Sequence, residues 1–86
     1  MKKMDKALLV ELIDKVREYW GGNKTYEEAK AILNEACEIS EKIAPPSQAM
    51  ELRVFIQSIL GYLGLKPDAT NEEIFGVLAI LDWEVE

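Results

Sequence analysis

The sequence predicts an all-α fold, a compact four-helix bundle. Three observations lead there. Apolar residues recur at intervals of three and four in four separate stretches, the period of a helix with one buried side. Breaks containing Gly or Pro divide the stretches. Thr25 with Glu28, and Thr70 with Glu73, have the spacing of a capping box, which marks a helix start.

The first helix is predicted over residues 5–20. Leu8, Leu9, Leu12, Ile13, Val16, Tyr19 and Trp20 fall on one face, with Glu11, Asp14, Arg17 and Glu18 on the other. Asp5 supplies an N-cap oxygen. Gly21-Gly22 ends the helix, because Gly adopts the left-handed exit conformation without a Cβ clash. The second helix is predicted over residues 25–43. Ala29, Ile32, Leu33, Ala36, Ile39 and Ile43 share a stripe opposite Glu28, Glu35, Glu38, Glu41 and Lys42. One apolar stripe against a charged face describes a surface helix. Ala44-Pro45-Pro46 stops it, since each Pro disfavours helical geometry in the residue before it.

The third helix is predicted over residues 47–64. Leu52, Phe55, Ile56, Ile59, Leu60 and Leu63 form its main face, and Met50, Val54 and Gly61 a second side. Apolar on more than one side, it is expected to be the central helix. A helical Gly costs roughly 1 kcal/mol relative to Ala, so Gly61 is expected to admit a neighbouring backbone. Lys66-Pro67-Asp68-Ala69 forms the last break. The fourth helix, over 70–81, carries Ile74, Phe75, Leu78 and Leu81 on one face and Val77 and Ile80 on another. The second apolar sides, Met50/Val54 and Val77/Ile80, are either core or a surface for a second copy or a partner. No strand and no internal repeat is expected. Short connections make sequential helices antiparallel neighbours.

The 86 residues are expected to form one domain, 1–86, with a short acidic C-terminal tail at 82–86. A patterned hydrophobic content of 49% belongs to a folded chain, not a disordered one. Met1 to Lys6 is charged and runs directly into an amphipathic pattern, so no signal peptide is expected. The most apolar stretch, Ala49 to Leu65, carries Glu51, Arg53, Gln57 and Ser58. It falls short of the about 18 apolar residues that a membrane span needs. Cys37 has no second Cys to pair with, which fits a reducing, cytoplasmic location.

The chain has no His. It therefore lacks the commonest general base and the commonest metal ligand. One Cys cannot build a Cys/His zinc site, and the Glu-x-x-His ligands of di-iron bundles are absent. A calcium loop opening at Asp68 fails, because Glu73 and Ala79 occupy the places that need Gly and Glu. Gly21-Gly22 is too short for a phosphate loop and lacks the Lys-Ser/Thr that follows one. Glu35, Glu38 and Glu41 lie on a hydrated helix face, and Cys37 at the edge of an apolar stripe reads as a small buried hydrophobe. No catalytic residue, cofactor or metal is expected.

Charge is distributed unevenly. Residues 67–86 hold Asp68, Glu72, Glu73, Asp82, Glu84 and Glu86 with no base, so they carry the whole net charge of −6. Lys2, Lys3 and Lys6 form the only basic cluster, so direct nucleic-acid binding is not expected. Glu72 and Glu73 complement the positive start of a helix. Asp82, Glu84 and Glu86 follow a helix end, where negative charge is unfavourable. They read as a frayed tail, or as a contact strip anchored by Trp83, or as a segment whose Trp83 docks on its own core. The partner-binding candidates are Val77, Ile80, Asp82, Trp83, Glu84, Val85 and Glu86.

The run Leu63-Gly64-Leu65-Lys66-Pro67-Asp68-Ala69-Thr70-Asn71-Glu72-Glu73-Ile74 resembles a turn-to-helix phrase of unrelated families, including the opening of J-domains. The His-Pro-Asp loop of J-domains is absent. In size, acidity and helix count the chain is similar to small bacterial immunity proteins, which neutralise toxins by binding. No motif of those families matches residue by residue. The expected function is non-enzymatic: a protein–protein interaction, inhibitor or adaptor module with a protein partner, basic in character, or a second copy as a homodimer. An immunity-type or nucleic-acid-mimicking inhibitor is one alternative. A ligand-binding or carboxylate-based enzymatic bundle is another, and it requires a polar pocket with an inward carboxylate. No membrane association is expected.

Overall fold

The computed structural model describes residues 2–62 and 68–85. Four helices are present: α1 (Lys6–Trp20), α2 (Tyr26–Ile43), α3 (Pro46–Gln57) and α4 (Asn71–Ile80). Each start has its physical cause. The Asp5 carboxylate accepts from the amides of Ala7 and Leu8. At Thr25 and Thr70 both halves of the capping box are formed, with Glu28 and Glu73 as partners. Pro46 occupies the first turn of α3, where its missing N–H removes no helical bond. The predicted third helix reached Gly64; Leu63 and Gly64 lie outside the described residues, as do Lys66, Pro67 and Glu86.

The bundle is organised around α1. Leu9, Leu12, Ile13 and Val16 are fully buried, and α1 packs against both α2 and α3. This corrects the expectation that α3 is central. The inner positions of α2 are small, Ala36 and Ser40, so its axis can approach α1 closely. The Ser40 hydroxyl donates to the Cys37 carbonyl at 2.8 Å and accepts from Arg53 of α3 at 3.3 Å. Lys15 of α1 reaches Glu35 of α2 at 2.6 Å and Glu18 at 3.3 Å. The hydrogen bond to Glu35, and then that to Glu18, raise the Lys15 pKa. Both helix ends bear on α4: Arg17 donates to Asn71 Oδ1 (2.6 Å) and to the Ala69 carbonyl (2.7 Å), while the Lys6 ammonium lies 5.8 Å from the Phe75 ring centroid. α4 therefore runs antiparallel to α1, with Ile74 and Leu78 buried.

Two short strands complete the fold, contrary to the expectation of none. β1 (Lys2–Met4) pairs in parallel with β2 (Trp83–Val85), in the register Lys2 to Trp83, Lys3 to Glu84 and Met4 to Val85. Asp82, at φ 67°, makes the left-handed turn from α4 into β2; Asp tolerates that region better than most side chains. Met4 and Trp83 are buried in the common core.

The end of α3 departs from α-helical geometry. Residues Ser58–Tyr62 form a π-helical turn. A methyl group on Gly61 would sit 2.6 Å from Cδ2 of Trp20. The close neighbour predicted for Gly61 is thus an aromatic ring and not a backbone.

Candidate functional site

The residues singled out in the sequence divide between two surfaces. Asp82, Trp83, Glu84 and Val85 line an open cleft of about 550 Å³, together with Lys6, Phe75, Gly76 and Ala79. The cleft lies where the start of α1, the end of α4 and β2 meet. Its position follows from the β1–β2 pairing, which brings the basic cluster of the chain to its acidic end. Lys3 and Glu84 are register partners and both exposed, so opposite charges stand side by side on the outer face of the sheet.

This arrangement changes the reading of the tail. Residues 83–85 are a strand and not a frayed end. Trp83 is only 2% exposed, so it is part of the core and no exposed anchor for a partner. Burying an indole contributes far more than leaving it on an acidic surface strip. Asp82 and Glu84 remain exposed, and Val85 is half-buried. Glu86 lies outside the described residues. Lys6, which the sequence offered only as a member of the basic cluster, belongs to the cleft, and nothing local to residues 2–6 indicates this.

Val77 belongs to the second surface. It joins Met50, Glu51, Val54, Phe55, Ser58 and Ile59 around a groove of about 510 Å³ between α3 and α4. Met50 is 55% exposed, Val54 51% and Val77 36%. Ile80, one turn beyond Val77 on α4, is 84% exposed. The second apolar sides of these helices are therefore exposed and not core. Phe55 and Ile59, assigned by periodicity to the buried face of α3, are half-buried and form the groove floor. The helical spacing of Phe55 and Ile59 with Met50 and Val54 was the available signal; what it lacked was the position of α4.

The groove is almost wholly apolar, and the Ser58 hydroxyl is engaged with the Val54 carbonyl at 2.8 Å. The cleft offers carboxylates that face water, where a charge pair contributes little. Among the described residues, no group of three His, Cys, Asp or Glu side chains is placed to hold a metal ion, and no helix is long and apolar enough to cross a membrane. No family model matches the chain, and no curated protein or solved structure matches it.

Proposed function

We propose that this chain is a non-enzymatic interaction module that docks a protein partner in the α3–α4 groove. One observation carries the reading: Met50, Val54 and Val77, exposed apolar side chains from two helices, converge on a single groove. Isolated exposed apolar residues are ordinary, but a contiguous set with a formed concavity is a feature of binding surfaces. The inhibitor or adaptor role and cytoplasmic residence belong to the same proposal, the latter supported by the lone Cys37.

A second reading has its own observation. The cleft carries Asp82 and Glu84 at its rim, which suits a basic partner such as the target of an inhibitor. Affinity capture separates the two readings. Val54→Asp is expected to abolish recovery of a partner that Glu84→Lys still recovers. Loss with Glu84→Lys and retention with Val54→Asp would move the contact to the cleft. Both residues are exposed, so neither substitution disturbs the core.

A further inference from the structure

Burial divides the methionines of this chain. Met4 is 1% exposed, inside the core, whereas Met50 is 55% exposed. Met50 also lines the α3–α4 groove, one helical turn before Val54. An oxidant in solution therefore reaches the Met50 thioether without any opening of the fold. It reaches Met4 only when the fold opens.

Oxidation at Met50 changes the character of the groove. A peroxide transfers one oxygen atom to a lone pair of the sulfur. The S–O bond forms, the O–O bond breaks and water leaves; sulfur loses two electrons and the peroxide gains them. A soft, apolar side chain becomes a sulfoxide whose oxygen requires a hydrogen-bond donor. Among the described residues that line the groove, no side chain has a donor to spare. Val54, Phe55, Ile59 and Val77 are apolar, the Glu51 carboxylate accepts, and the Ser58 hydroxyl already donates to the Val54 carbonyl. An apolar surface docked there would strip the sulfoxide oxygen of water and return nothing.

Resting on the interaction reading above, we propose that Met50 is a redox-sensitive modification site. Its oxidation by hydrogen peroxide closes the α3–α4 groove to apolar occupants. Reduction by a dithiol-dependent sulfoxide reductase, which forms a disulfide and releases the oxygen as water, opens it again. The switch acts on any apolar surface that the groove takes.

The full chain is treated with hydrogen peroxide, mapped by peptide mass spectrometry, and titrated with Nile red, a neutral dye that brightens on apolar surfaces. Oxygen is expected at Met50 about tenfold or more faster than at Met4. Dye binding is expected to weaken about threefold or more, as it does in unoxidised Val54→Asp, with helical circular dichroism unchanged. The reductase restores it. Met50→Leu, which keeps Met1, Met4 and Cys37, is expected to bind the dye equally before and after peroxide. Equal oxidation of Met50 and Met4, undiminished dye binding, an equal loss in Met50→Leu, or a parallel loss of helix each overturns the switch. So does a dye signal that Val54→Asp leaves unchanged. Affinity capture tells this failure from failure of the interaction reading. A partner lost with Val54→Asp but kept after oxidation overturns the switch alone, and capture unaffected by Val54→Asp overturns both.

Discussion

At Gly61 an added methyl group would lie 2.6 to 2.8 Å from three atoms of the Trp20 ring, so either the ring or the π-helical turn would have to move. At Gly76, in the middle of α4, a methyl group would meet nothing within 4 Å. The same substitution should therefore have opposite signs at the two sites. Gly61→Ala is expected to destabilise by about 1–3 kcal/mol through overpacking. Gly76→Ala should stabilise by up to about 1 kcal/mol through helix propensity. Urea denaturation of both variants measures this; a common sign would mean that Trp20 does not confine Gly61. Sequence periodicity flagged Gly61 as unusual, but it could not identify Trp20, 41 positions away, as the neighbour. Trp83 is the other residue whose role the chain order concealed. Trp83→Ala should cost about 3–5 kcal/mol. In a Trp20→Phe background the Trp83 emission should be blue-shifted, as for an indole 2% exposed. Emission at the wavelength of a hydrated indole would contradict the docking of β2.

Among the elements, helix starts were legible because they depend on residues three apart. Thr25 and Thr70 form the capping boxes that their spacing predicted. Thr25→Ala and Thr70→Ala should each cost about 1 kcal/mol. Their distribution should differ: α4 has 10 residues and α2 has 18, so loss of the Thr70 cap should show as faster amide exchange throughout α4. Exchange faster only in the first turn would mean that α4 is held by tertiary contacts alone. The element that the sequence hid is the β1–β2 ribbon. Three-residue strands carry too few side chains for a period of two to stand out. Their pairing spans nearly the whole chain, from Lys2–Met4 to Trp83–Val85. The α3 helix shows a different limit. Periodicity gave it two apolar sides; burial made Leu52, Ile56 and Leu60 of the first core, left Phe55 and Ile59 half-buried, and left Met50 and Val54 of the second in solvent.

For the whole molecule, the uneven charge is balanced in space more than along the chain. The ribbon sets Lys3 beside Glu84. Lys3→Glu or Glu84→Lys alone should cost from a few tenths to about 1 kcal/mol by placing like charges opposite one another. The double exchange should recover most of it, and added salt should shrink each effect. Thermal melts of the four proteins test the pairing; a double variant less stable than either single one would refute it. The groove is a whole-molecule feature as well. Met50 and Val54 lie on one side of α3, and they line a groove only because Val77 of α4 is brought across from them.

The sequence by itself determined the helices, their boundaries to within a residue or two except at the C-terminal end of α3, the caps, and the main apolar faces of α1 and α4. These follow from local hydrogen bonding and a period of 3.6, both written over a few neighbouring residues. Only the tertiary structure decided that α1 is central, that Trp83 is core, that the acidic end meets the basic one, and which apolar faces stay open. Those outcomes depend on which distant segments meet, and packing, not local spacing, selects among the faces that a helix offers.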